Sequence, residues 1–263
     1  MKEGRKLGKR HEHPPVKHRV FVATPAYEGK CDVDFAMSLA QSCMHAVHQD
    51  IGVMCQVMGN GAFIEMARNI FVKTFLETDC DLLFFIDSDL KWESRAFVGM
   101  VESGREVCAG AYRKRQEPEE YPLHYIEDED KPGLSITDGG WVECDRVATG
   151  FLCIQRHVLE KMSAQAKKVY IEGEGEIPWI FETGFRESDG HLKFIGEDYS
   201  WCDKYIEEFG GPIYVWPDFD FEHAGYKCNW HKFMNAQVEA GGNVSFIRGE
   251  TQEDTPKKAL RNG

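Results

Sequence analysis

The most constraining stretch of this chain is Asp81-Leu82-Leu83-Phe84-Phe85-Ile86, which is apolar for five consecutive residues and then meets Asp87-Ser88-Asp89. A strand with one wet face alternates polar and apolar side chains, whereas an unbroken apolar run is covered on both faces. That points to a central strand with helices above and below it. The flanking sequence fits. Arg19-Val20-Phe21-Val22-Ala23 reads as a short strand stopped by Thr24-Pro25. Residues 32–48 put Val33, Met37, Ala40, Met44 and Val47 on one helical face. Ile51 to Met58 reads as a second strand closed by Gly59-Asn60-Gly61, and residues 62–77 return to helical spacing through Phe63, Ala67, Ile70 and Phe71. A helix over Glu93 to Ser103 and a fourth strand over Val107 to Ala111 complete the first half. Such alternation predicts an α/β fold with a mostly parallel central sheet and helices on both faces.

The second half is less regular. Residues 113–135, with Glu127-Asp128-Glu129-Asp130, read as a long polar surface excursion. Trp141-Val142 and Ala148 to Ile154 read as strands of a hairpin or mixed edge, and His157 to Gln165 as a helix. Glycines and aromatics interspersed over 170–195 suggest a second loop region. A helix from about 197 to 209 carries Trp201, Tyr205 and Phe209 on one stripe and stops at Gly210-Gly211-Pro212, and Ile213 to Trp216 is a last strand.

The ends differ from the body. Residues 1–18 hold Lys2, Arg5, Lys6, Lys9, Arg10 and His11-Glu12-His13 with almost nothing apolar, which predicts a flexible basic tail. Residues 19–237 read as one domain and 238–263 as a partly disordered C-terminal tail. A net charge of −13 argues against nucleic acid as a partner. Nine scattered cysteines form no CxxC pair, and no apolar run reaches the ~20 residues of a membrane span. The expectation is a cytoplasmic protein with reduced thiols.

Asp87 and Asp89 follow the most apolar strand, and in an open α/β sheet ligands bind beyond the carboxyl ends of the strands. Two carboxylates one residue apart present oxygen ligands to a hard cation such as Mg²⁺ or Mn²⁺. The same residues also suit a polar turn that ends a strand.

Taken together, Phe84-Phe85-Ile86-Asp87-Ser88-Asp89 resembles the metal-binding signature of glycosyltransferases with the GT-A fold, a Rossmann-like architecture that uses nucleotide sugars. The resemblance runs in order from about residue 19 to 230. Thr24-Pro25-Ala26-Tyr27 is similar to the first-strand loop that holds the base, and Ala67-Arg68-Asn69 to the segment beside the nucleotide. Ala148-Thr149-Gly150-Phe151 resembles the active-site floor, Gly196-Glu197-Asp198-Tyr199 the acidic pair near the acceptor, and His223 a third metal ligand.

What this resemblance implies is a Mn²⁺- or Mg²⁺-dependent transfer of a sugar from a nucleotide sugar, with a UDP-sugar as the expected donor. The acceptor hydroxyl would belong to a glycan, a protein or a small molecule. Thr24, Pro25, Tyr27, Arg68, Asn69, Asp87, Ser88 and Asp89 would bind the donor, and Asp87, Asp89 and His223 the metal. Asp198 would be the general base, with Glu197 as substitute. Gly150 and Trp179 would face the acceptor or sugar, Trp141, Phe181 and Trp230 being weaker candidates for stacking. A smaller mixed region would form the acceptor side.

Each assignment has a plainer counterpart. Acidic residues suit the first turn of any helix, and a histidine after a strand often just packs. Two other classes fit part of the pattern. A phosphohydrolase of the haloacid dehalogenase type also places Asp-x-Asp after an apolar strand, though near the chain start. A non-catalytic nucleotide- or carbohydrate-binding protein could keep the fold without turnover.

Overall fold

The chain runs through β1 (His18–Ala26), α1 (Val33–His48), β2 (Ile51–Gly59), α2 (Ile64–Leu76) and β3 (Leu82–Ile86). The computed structural model describes residues 16–59, 63–126, 134–239 and 246–248. β1 pairs in parallel with β2 on one side and β3 on the other. Every residue of β3 is buried, as its apolar run requires.

The short β4 (Leu90–Lys91) leads to α3 (Ser94–Glu102) and β5 (Val107–Gly110), followed by β6 (Leu123–Tyr125), β7 (Leu134–Ile136) and β8 (Val142–Val147). Next come β9 (Phe151–Gln155), α4 (Arg156–Gln165), β10 (Lys168–Ile171), β11 (Gly175–Pro178), β12 (Gly184–Ser188) and β13 (His191–Ile195). The chain ends through α5 (Glu197–Phe209), β14 (Ile213–Trp216), β15 (Phe221–His223), β16 (Tyr226–Cys228), α6 (Trp230–Glu239) and β17 (Phe246–Arg248).

Ten strands form one sheet in the order β17-β7-β8-β14-β5-β9-β3-β1-β2, with β6 joined to β8. β2, β1, β3, β5 and β14 share one direction, while β9 and β8 oppose it. The fold is therefore α/β with a large, mostly parallel centre.

Several expectations need correction. β1 does not stop at Thr24-Pro25 but pairs with β2 as far as Ala26. β3 leaves β1 after Ala23, so Pro25 lies where pairing is one-sided and a missing N–H is tolerated. The stretch Ala148 to Ile154 is no edge: Phe151–Gln155 enters antiparallel between β3 and β5, at the sheet's centre, with Phe151 through Ile154 buried. The 170–195 stretch is two hairpins, β10/β11 and β12/β13, with Gly173, Gly175 and Gly190 at positive φ. The 113–135 excursion contributes β6 and the start of β7 to the sheet. Ile213–Trp216 is followed by three further strands and a helix.

The largest reversal concerns α1. Its buried residues are Phe35, Ser38, Ser42 and Ala46, and the stripe of Val33, Met37, Ala40, Met44 and Val47 is exposed. The anchor is Trp92, whose indole Nε1 donates to Ser42 Oγ at 2.9 Å and whose backbone N–H donates to Ser38 Oγ at 3.2 Å. Phe35 meets the Trp92 ring edge-on at 5.6 Å. On α2, by contrast, Ala67, Ile70 and Phe71 are buried as expected, though Phe63 just before it is exposed.

On α5, Trp201, Tyr205 and Phe209 stack in sequence and Gly210 ends the helix at φ 71°. All nine cysteines are free, and six of them are buried. Among the described residues no helix is long and apolar enough to cross a membrane. Residues 1–15 of the basic tail, Asn60-Gly61, the Glu127–Asp130 acidic run and the C-terminal segments 240–245 and 249–263 lie outside the described residues.

Candidate active site

From β1 the chain turns to β2 on one side, and it returns to β3 on the other. The carboxyl ends of β1 and β3 therefore bracket a topological switch point, where a crevice opens in α/β sheets. The two exits are tied together, the Asp32 N–H donating to the Ser88 carbonyl at 2.9 Å.

Asp87-Ser88-Asp89 forms the turn at the end of β3, closed by Leu90 N–H to the Asp87 carbonyl at 3.3 Å. The chain then continues as β4, which pairs antiparallel with β15 so that His223 lies opposite Leu90. Ala224 N–H donates to the Asp89 carbonyl at 2.9 Å. This register brings His223 Nε2 to 3.5 Å from Asp89 Oδ1. The His223 Nδ1 lies 2.8 Å from the Arg113 carbonyl, which only accepts, so Nδ1 carries a proton. Nε2 is left facing the carboxylate.

The other Asp89 oxygen accepts from Arg115 Nη1 at 2.8 Å. Burial alone would raise the Asp89 pKa, but His223 and Arg115 outweigh it and hold the group below its ordinary value. Burial would also lower the His223 pKa, yet the bonds to Asp89 and the Arg113 carbonyl carry it upward.

Asp87 faces the other way. Its Oδ1 is 3.6 Å from Arg68 Nη2, and Arg68 Nε donates to Glu197 Oε1 at 3.3 Å. Arg68 is buried, lies over the Phe85 ring at 5.2 Å, and has its Nη1 buried without a partner. One guanidinium thus links the end of β3 to the start of α5. Burial raises the Asp87 pKa, Arg68 opposes that rise, and Asp89 adds to it.

Beside Glu197, Asp198 Oδ1 accepts from the Tyr199 N–H at 2.8 Å. Burial, then the neighbouring Glu197, raises its pKa. Of the two carboxylates, Glu197 is paired with Arg68, whereas Asp198 accepts from the adjacent backbone N–H.

Gly150 closes the floor. Its carbonyl accepts from Asp87 N–H at 2.9 Å, and its own N–H donates to Tyr112 Oη at 2.8 Å. A Cβ here would stand 2.3 Å from Tyr112 Oη and 2.6 Å from Asp87 Oδ2, so only glycine fits. Thr24 is buried at the end of β1 with its hydroxyl unpartnered.

Asp87, Asp89, His223, Arg68, Glu197, Asp198 and Gly150 thus form one constellation. Six expected residues stand apart from it. Asn69 is fully buried, and its amide is spent on other segments. Oδ1 accepts from the Ile180 and Phe181 N–H groups at 2.9 Å each, and Nδ2 donates to the Phe181 and Glu65 carbonyls. No donor or acceptor remains for a base. Tyr27 is 74% exposed, and Trp179 is half-buried with its backbone N–H on the Lys167 carbonyl. Neither makes a hydrogen bond or ring contact with the cluster. Trp141, Phe181 and Trp230 are buried in the core and offer no platform.

Two participants were missed by sequence reasoning, Tyr112 and Arg115. Both follow β5, and the basic triplet Arg113-Lys114-Arg115 directly after a strand of an acidic chain was the available signal.

Among the described residues no group of three or more His, Cys, Asp or Glu side chains is arranged to hold a metal ion. The expected triad of Asp87, Asp89 and His223 is therefore not preformed, because Asp87 is turned to Arg68. The Asp89–His223 pair does suit a divalent cation in its chemistry. It offers one oxygen and one ring nitrogen, and the Nδ1–H held on a carbonyl is the second-shell contact metal-bound histidines use.

No protein-family model matches the chain, and no curated protein matches it. Solved structures similar in fold include the inositol-1-phosphate CTP transferase from T. maritima, at 10% identity and a TM-score of 0.39, covering 88% of this chain and 98% of that one. Another is a putative glucose-1-phosphate thymidylyltransferase from Bacillus anthracis in complex with a sucrose, at 11% identity and a TM-score of 0.39, covering 88% and 97%. Likeness of this order assigns no activity.

Proposed function

We propose that this protein is a nucleotide-sugar-dependent glycosyltransferase of the GT-A type. The observation that carries the reading is the convergence of the Asp89–His223 pair and the Arg68-bridged Asp87 and Glu197 at one topological switch point. Asp89 and His223 would hold Mn²⁺ or Mg²⁺, and Asp87 would reach the donor or the metal through water. A bound cation there would offset the charge of the departing diphosphate. Thr24 and Arg68 contribute an unpartnered hydroxyl and a guanidinium on the donor side.

Asp198 takes the proton from an acceptor hydroxyl as that oxygen attacks the anomeric carbon and the nucleoside diphosphate leaves from the opposite face, inverting the centre. Its raised pKa strengthens it as a base relative to an ordinary aspartate. A UDP-sugar is the expected donor, and a glycan, protein or small-molecule hydroxyl the acceptor.

Calorimetric titration with UDP, GDP, CMP and TDP, each with Mn²⁺ and with EDTA, tests the reading. One nucleotide should bind only with metal, and Asp89→Ala should abolish that binding while the thermal melt stays cooperative. Absence of nucleotide binding in every condition would remove the proposal and favour a phosphohydrolase or a carbohydrate-binding protein.

A further inference from the structure

β2 is the last strand of the main sheet, and among the described residues nothing pairs with its outer edge. Its inner edge pairs with β1 in unbroken register from Ile51 to Gly59, so the outer edge is a continuous run of about 30 Å. Natural edge strands are protected by charges, prolines, bulges or short length. The segment Ile-Gly-Val-Met-Cys-Gln-Val-Met-Gly has no charge, no proline and no bulge. Met54 and Val57 on it are half exposed, at 46% and 50%.

The neighbouring helix adds a second, independent feature. α1 seats Phe35, Ser38 and Ser42 on Trp92, between β4 and α3, and among the described residues it packs chiefly on α3, β2 and β4. The stripe turned away from those contacts carries Val33, Met37, Met44 and Val47 at 80%, 54%, 68% and 70% exposure. It runs about 22 Å along the helix. An apolar strip of that length beside an open strand exceeds the scattered apolar residues ordinary on a monomer surface.

We propose that this flank joins two copies of the chain across a two-fold axis, β2 pairing antiparallel with its own copy and the α1 stripes meeting on one face of the continued sheet. A strand edge is complementary to itself under a two-fold, which makes the contact isologous and closed. Charge favours the same occupant. A chain of net charge −13 carries a net repulsion toward its copy and toward an anionic membrane. The contact therefore falls where charge is absent, and within α1 and β2 the only ionisable side chains besides cysteines are Asp34, His45 and His48.

Sedimentation velocity of the full chain should give a species of twice the 30.1 kDa chain mass. The double variant Met44→Glu with Val47→Glu should raise the dissociation constant about a hundredfold. Because both side chains are exposed, its thermal melt should stay cooperative. Val57→Lys should act in the same direction from the strand side. In a background of Cys31→Ser and Cys43→Ser, Cys43 being hydrogen-bonded to Cys55, a bismaleimide should link two chains through the exposed Cys55, and Cys55→Ser should remove the link. A wild-type monomer at every concentration overturns the proposal, whether or not the flank binds neutral lipid vesicles. So does a dimer that neither variant weakens. Loss of the dimer on deleting residues 1–15 alone would also overturn it, because that segment would then be what mediates association.

Discussion

Helices α1 and α2 carry apolar stripes of similar helical spacing, yet the molecule turns one outward and the other inward. α2 buries Ala67, Ile70 and Phe71 and takes two polar residues, Arg68 and Asn69, into the interior with them. α1 exposes its valines and methionines and buries two serines. Periodicity reports where apolar side chains lie on a helix, not what covers them. The two departures from apolar-inside packing have separate uses, since buried polar groups are kept only where each has a partner or a task. Arg68 ties two carboxylates of the crevice together, Asn69 fastens the 180–181 segment, and Ser38 and Ser42 seat Trp92.

The largest expected effect comes from removing the buried charge on α2. Arg68→Met should destabilise the fold by about 3 kcal/mol at neutral pH, because Asp87 and Glu197 lose their shared counter-charge in a mostly buried setting. Without the guanidinium, the main influence opposing the rise, the Asp87 carboxyl is pushed further upward in pKa. A carboxylate whose folded pKa exceeds its unfolded value destabilises the fold at high pH, and that cost fades as pH falls through the folded pKa. The deficit against wild type should therefore shrink on acidification, as measured by denaturant unfolding across pH. A deficit independent of pH would mean that Arg68 acts only by packing on Phe85. Sugar transfer should fall about a hundredfold in the same variant.

Asn69→Ala comes next. It removes one side chain and leaves the Ile180 and Phe181 N–H groups and the Phe181 carbonyl without the bonds it made to them, at a cost of about 2–3 kcal/mol. Nucleotide affinity measured below the melting transition should hardly change. A selective loss of affinity with stability intact would return Asn69 to the donor site.

This contrast also shows what the sequence made legible. β3 could be read because an unbroken apolar run bounded by polar residues has few alternatives, whereas Asp87-Ser88-Asp89 by itself suited a plain turn equally well. Glu197 and Asp198 followed a glycine at a helix start, and Gly150 sat in a run that could be placed by order. β9 could not be placed at the sheet centre, since its run looks alike in any buried strand and only the pairing partners tell them apart. Tyr112 and Arg115 were hidden because they sit in irregular chain after β5, where no periodicity exists. The His223–Asp89 contact depends on a two-residue strand, β4, too short to leave a pattern.

The smallest effects test α1 itself, where the inversion predicts opposite outcomes for two conservative changes. Ser42→Ala removes one hydroxyl oxygen from a fully buried site and leaves the Trp92 indole N–H without an acceptor, costing about 1–2 kcal/mol. Met37→Gln replaces a larger apolar side chain by a polar one, yet its site is more than half exposed. On the dissociated chain it should change stability by no more than ~0.5 kcal/mol. Thermal unfolding of both variants at low protein concentration makes the comparison. Were Met37→Gln the more damaging of the two, the helix would be seated the other way round, on the face its sequence advertises. The Trp92 anchor would then be wrong, and with it the open flank beside β2.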